Sequence, residues 1–191
     1  SIHGGNRTDD LAACVTCHNP RNTDGRVRPV AVTPPTDGKA EESIDFKTMI
    51  HGIHASGFRE NPLQIVGFRG FTTYVYDEEH VQYPGILSNC TSCHLEDSYM
   101  LPLPDGVLGT SVDTGTDKLE PTDDRVATPA SAVCASCHDG ADAIAHMTLE
   151  GGDFDTTQAF IDQGTSAENC AGCRGPGELA AVDLVHGLGE R

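Results

Sequence analysis

Tryptophan is absent from this 191-residue chain, and large apolar residues are thin: Leu, Ile, Val and Phe together fill 39 positions. That share, about 20%, stands beside a formal charge of -17. The combination borders on chains too polar to fold around a core of their own. No run of 18 or more apolar residues occurs, which excludes a helical membrane-spanning segment within the sequence. Positive charge is scarce as well, with 12 scattered Lys and Arg against 29 Asp and Glu. This excludes a nucleic-acid partner and argues against docking on anionic membranes. An acidic surface of this kind suits a secreted or cell-surface protein that must stay soluble.

Cysteine, by contrast, is organised. All eight cysteines fall in four Cys-x-x-Cys pairs, which start at residues 14, 90, 134 and 170. Three pairs are followed at once by histidine: Cys14 and Cys17 by His18, Cys90 and Cys93 by His94, Cys134 and Cys137 by His138. The fourth, Cys170 and Cys173, is followed by Arg174. Histidine makes up 9 of 191 residues, so chance puts it after a given pair about one time in twenty. Cys-x-x-Cys-His is the attachment signature of c-type haem. Two cysteines three apart share one side of a helical turn, so both reach one porphyrin edge, and the next histidine reaches the iron as proximal ligand. Two four-thiolate zinc sites or thioredoxin-type disulfides would also use paired cysteines, but neither chemistry asks for the histidine. Haem c is therefore expected at the first three pairs, and a fourth at Cys170 and Cys173.

Several haems also resolve the shortage of core. The fold is expected to be mostly irregular with short α-helices, a single multihaem c-type cytochrome domain over 1–191, wrapped around a closely packed haem array. Without haem the chain should fail to fold, since cofactor binding free energy is then folding free energy. The pairs show no fixed period, which excludes a solenoid. Asp45 to Ala55, Asp142 to Met147 and Leu179 to His186 read as helices, the last stopped by Gly187. Ser166 to Asn169 reads as a cap leading into Cys170. Phe71 to Tyr76 reads as a strand or an extended arm. Leu101 to Pro129, rich in Pro and Gly, reads as a long structureless stretch draped over haems.

Six histidines lie outside the pairs: His3, His51, His54, His80, His146 and His186, against three methionines. This surplus favours bis-histidine ligation, which closes the iron to substrate and argues for electron transfer. His51 and His54 share a helix face and so can serve two neighbouring irons. His146, His186 and His3 are the other expected distal ligands. His80, among Asp77, Glu78 and Glu79, is expected to be a solvated surface residue.

Longer stretches carry a resemblance. These are His3-Gly4-Gly5-Asn6-Arg7-Thr8, Cys14 to Pro20, Met49-Ile50-His51-Gly52-Ile53-His54 and Tyr83-Pro84-Gly85 leading into Asn89 to His94. Leu101 to Gly109, Cys134 to Asp139 with His146-Met147, and Cys170 to Gly177 with Val182-Asp183 and His186 complete them. In this order the chain resembles the C-terminal pentahaem domain of the OmcA/MtrC family of outer-membrane decahaem cytochromes. The resemblance implies bis-histidine haems within tunnelling distance and electron delivery to extracellular acceptors such as metal oxides or flavins. It implies His3, His51, His54, His146 and His186 as distal ligands, and other multihaem cytochromes or neighbouring copies of the chain as partners. It implies a place outside the cell or on its surface, with the periplasm as the alternative. Thioether attachment itself occurs outside the bacterial cytoplasmic membrane, and Ser1 to Gly5 has no signal-peptide character. Two departures stand out. Family members carry a further haem motif just upstream of the stretch matching His3, so His3 is expected to complete a haem of an adjacent subunit or domain. Arg174 also replaces the family's histidine.

The rival readings are a multihaem oxidoreductase with one under-ligated haem at Cys170 and Cys173, acting on a small anion or metal ion, and a zinc-binding interaction module. Acidic clusters such as Asp77-Glu78-Glu79 and Asp123-Asp124 are candidate calcium sites, though a charge run more often forms a solvated face.

Overall fold

A computed structural model describes residues 10–164 and 168–188, together with His3. Short helices and two small sheets are joined by long turns. The expected cap at Ser166 to Asn169 lies partly outside the described residues.

Helix α1, Leu11–Cys17, starts where the Asp10 carboxylate accepts the Ala13 N–H at 3.2 Å. Helix α2, Phe46–His54, starts on Asp45, whose side chain accepts the Lys47 N–H. These caps satisfy N–H groups that a helix leaves orphaned at its start. Strand β1, Leu63–Val66, is buried along its length and pairs antiparallel with β2, Thr73–Tyr76, setting Leu63 against Tyr76 and Val66 against Thr73. The strand expected at Phe71 to Tyr76 thus forms from Thr73 onward; Phe71 has φ +50° and belongs to the turn.

The stretch expected to lack structure between Leu101 and Pro129 holds a second pair, β3 at Thr110–Asp113 and β4 at Arg125–Ala127. The buried residues of β3 are the hydroxyl-bearing Thr110 and Ser111, with Val126 and Ala127 buried on β4, so apolar alternation does not betray the pair. Thr110 Oγ1 donates to Asp45 at 2.6 Å, and the Ser111 N–H donates to the Pro20 carbonyl at 2.7 Å. Helix α3, Pro129–Ala135, follows at once. Helix α4, Ala141–Leu149, covers the expected Asp142 to Met147. Helix α5, Gln158–Asp162, capped by Thr157, was not anticipated. Helix α6, Ala171–Arg174, and α7, Val182–Val185, complete the order. The last is shorter than Leu179 to His186 because the Ala180 N–H is drawn back to the Cys173 carbonyl, so residues before Ala181 turn rather than coil.

The aliphatic core is small, as composition implies, with Val27, Ala55, Leu63, Ile65 and Val66 at its centre. Beside it lies a buried ionic core that composition does not reveal. Asp24, fully buried, accepts the N–H groups of Glu42 at 2.7 Å and Val66 at 2.9 Å and a bond from Arg28 at 2.9 Å. Arg28 also reaches Asp37 and the carbonyls of Lys39 and Gln64. Glu41, 3% exposed, accepts from Thr23, from Thr114 at 2.9 and 2.7 Å, and from Lys118 at 2.7 Å. Buried charges are tolerated when every lone pair is met, and losing one partner is then costly.

Burial pushes the Glu41 carboxyl up, but the bonds from Lys118, Thr23 and Thr114 outweigh it and hold its pKa at about 2, against 4.5 for the free group. A depressed carboxylate contributes stability that is complete above its unfolded pKa and is lost as pH falls toward its folded one. Glu41→Gln is therefore expected to cost on the order of 2–3 kcal/mol at pH 7. The gap from wild type should narrow as pH drops from 4.5 toward 2. Denaturant titration of the two proteins across that range checks it; a gap independent of pH overturns it.

Candidate haem-binding site

Each cysteine pair sits on a helical turn closed by the same bond. The N–H of the residue after the second cysteine donates to the carbonyl of the first: His18 to Cys14 at 2.9 Å, His94 to Cys90 at 2.9 Å, His138 to Cys134 at 2.8 Å. Arg174 does the same to Cys170 at 2.9 Å. The departure at the fourth pair is thus confined to a side chain. All eight thiols are unpaired. Among the described residues no group of three or more His, Cys, Asp or Glu side chains is arranged to hold a metal ion. The four-thiolate zinc reading and the calcium reading therefore find no site there. Asp124 is buried rather than solvated, and burial raises its carboxyl pKa.

The motif histidines meet histidines from distant segments. Ring centroids of His3 and His18 are 5.9 Å apart, those of His51 and His94 are 6.0 Å apart and nearly parallel, and those of His138 and His186 are 6.2 Å apart. Two imidazoles bound on opposite faces of one ion, each about 2.0 Å from it at nitrogen, put their centroids about 6.2 Å apart when ring size is added. The three pairs therefore fit the axial ligands of three haem irons. Their ring nitrogens are set for it. Nδ1 of His18 donates to the Ile44 carbonyl at 2.9 Å, that of His186 to Val182 at 2.8 Å, and that of His51 to Lys47. A carbonyl only accepts, so Nδ1 carries the proton and Nε2 keeps the lone pair, the arrangement that metal-bound histidine adopts. Burial lowers the pKa of His51 and His138, with the facing rings adding to it, which favours the neutral, ligating form.

Other expected ligands are placed differently. His3 stands against His18 of its own chain. His54 packs on Tyr83, centroids 4.7 Å apart, at a cleft of about 290 Å³ that Phe58 and Leu87 also line. His146 is exposed on α4 and faces no other ring among the described residues. His80 is exposed and bonds Asp77 at 2.6 Å, in keeping with a surface role.

Residues that sequence reasoning missed hold the turns in place. Arg59 donates to the Ser136 carbonyl at 2.5 Å, at the end of α3, and pairs with Asp139 at 3.1 Å. Asp139 also accepts the N–H groups of Glu60 at 2.8 Å and Asn61 at 3.1 Å, so the loop after α2 is locked to the third pair. Glu168 caps α3 from outside, accepting from Ala130 N at 2.8 Å, Ser131 N at 2.7 Å and Thr128 Oγ1 at 2.7 Å. It thereby ties the third pair to the fourth, two residues before Cys170. No motif marks either residue; only the position of Asp139 directly after His138 offers a hint. Arg59→Ala is expected to destabilise the haem-loaded protein by about 3 kcal/mol, because it strands a nearly buried carboxylate. Adding Asp139→Asn should cost less than it does in wild type. A double-mutant cycle by denaturant titration measures the coupling, and additive costs would overturn the clamp.

Among the described residues no helix is long and apolar enough to cross a membrane. Comparison with curated proteins finds no match. Residues 1–187 match the protein family described as outer membrane cytochrome MtrC/MtrF-like, domains II/IV. With its cysteine turns and paired histidines in that frame, the chain belongs to the MtrC/MtrF-like outer membrane cytochromes.

Proposed function

We propose that this chain is an electron conductor, a multihaem c-type cytochrome domain that passes electrons toward acceptors outside the cell. The observation that carries the reading is the set of three histidine pairs at 5.9, 6.0 and 6.2 Å, each beside a Cys-x-x-Cys turn. Cys14, Cys17, Cys90, Cys93, Cys134 and Cys137 hold three haems as thioethers. His18, His94 and His138 ligate from the motif side, and His3, His51 and His186 from the other. Bound haem supplies a one-electron couple at iron. The protein's part is to close both axial positions, so that neither substrate nor water enters and only electrons move. Histidine rather than methionine on both sides keeps the potentials low.

The sites follow one another closely. Cys137 Sγ lies 4.0 Å from the His51 carbonyl oxygen, so the third turn touches a ligand of the second site. The Phe46 N–H donates to the His18 carbonyl at 3.0 Å, so the first turn abuts the start of the helix that carries His51. Such contiguity supports transfer along the chain. Other cytochromes of the same kind, neighbouring copies, flavins and metal oxides are the proposed exchange partners, at the outer face of a bacterial cell.

Intact mass should show at least three haems per chain. His51→Ala and His186→Ala should each leave the haem count unchanged while one iron turns from low-spin to high-spin in the electron paramagnetic resonance spectrum. A variant whose spectrum matches wild type removes that histidine from the ligand set, and a chain without haem removes the function.

A further inference from the structure

The fourth cysteine pair has every feature of the other three except a ligand. Its turn is closed by the Arg174 N–H to the Cys170 carbonyl at 2.9 Å, so the Arg174 side chain leaves the backbone where His18, His94 and His138 leave theirs. A guanidinium has no lone pair to give a metal and stays protonated at any working pH. Three of the histidine pairs use six of the nine histidines, and His80 is tied to Asp77. His54 faces Tyr83. That leaves His146. The Glu150 N–H donates to its carbonyl at 3.2 Å, and the Glu150 carbonyl accepts the Asn169 N–H at 2.8 Å. His146 therefore lies one helical turn before the contact that docks α4 on the residue preceding Cys170.

Arg174 is half-buried, and among the described residues its side chain makes no ion pair or hydrogen bond. The well-buried arginines behave otherwise: Arg28 pairs with Asp24 and Asp37, and Arg59 with Asp139. In a chain of charge -17, a half-buried guanidinium with no such partner among the described residues is the local exception. Five N–H donors in a rigid fork suit an anion.

We infer that Cys170 and Cys173 hold a fourth haem with His146 as its single histidine ligand, and that its Arg174 face is open and binds a small anion. This rests on reading the Cys-x-x-Cys turns as haem attachments. It makes the chain three closed relays and one exchangeable site, where an anionic ligand would set the local charge and accessibility.

The haem-loaded full chain tests it. Intact mass should give four haems. The ferric protein should show one high-spin iron beside three low-spin ones, and cyanide should convert that one iron alone. Arg174→His should abolish both the high-spin signal and cyanide binding while keeping four haems. Arg174→Gln should keep the high-spin signal and weaken azide binding about tenfold or more, since it removes a charge-assisted contact. His146→Ala should alter the high-spin signal and leave the low-spin three untouched. Three low-spin haems with Cys170 and Cys173 as thiols or a disulfide would overturn the inference and leave the electron-conductor reading standing. Four low-spin haems that ignore cyanide would overturn it too. Loss of haem from the first three pairs would instead sink the underlying reading.

Discussion

Helix α2 is the constraint from which the placement of three cofactor turns follows. Its nine residues touch the first turn through the Phe46 N–H, present His51 to His94 of the second, and lay the His51 carbonyl beside Cys137 of the third. A helix is rigid, with a rise of about 1.5 Å per residue. Contacts at both its ends are therefore a fixed ruler, and loops between them are free to be irregular. Gly52 lets the ruler seat: a side chain there would meet Leu63 at 3.1 Å and approach the Ser136 carbonyl at 3.7 Å. A Cβ there would ask the tip of Leu63 to give by a few tenths of an ångström.

What holds α2 is ionic rather than apolar. Asp45 caps it, binds Lys47 and takes the Thr110 hydroxyl, so the helix start and β3 meet on one carboxylate. Asp24 and Glu41 do the same for the loops before it. A chain this poor in Leu, Ile and Phe has little alternative, because short segments without aliphatic side chains can still be ordered by satisfied buried charges. Such networks are poor sources of net stability, yet they penalise every wrong arrangement heavily, since each misplacement leaves a buried charge unmet. Such a network fixes positions, among them the separation of facing imidazoles, more than it deepens the energy well.

The sequence showed some layers of this plainly and others not at all. The cysteine turns were legible because local covalent chemistry dictates their spacing. Helices α2 and α4 were legible because caps, glycines and apolar spacing are local signals too. The β3–β4 pair was not, since the buried residues of β3, Thr110 and Ser111, carry hydroxyls and mimic a polar loop. Histidines were visible as a surplus, but which rings meet is a long-range fact: His3 and His18 lie 15 residues apart, His51 and His94 lie 43 apart. The partners of Arg59 and Glu168 were hidden for the same reason. Nothing about an isolated glutamate announces that it will cap a helix 38 residues earlier.

The same division between local and long-range explains why Arg174 is informative. The fourth turn keeps the backbone of the other three. Its closing bond matches theirs to within 0.1 Å. Glu168 fastens it to α3, and the Asn169 N–H fastens it to the end of α4. These are constraints from two separate segments, converging on a turn that carries arginine where the others carry histidine. Burial, Glu168 and Cys134 push the Cys170 thiol up to about 11, so it stays protonated and gains little as a free thiolate. A thiol so placed is a poor partner in disulfide exchange, which requires the thiolate as nucleophile.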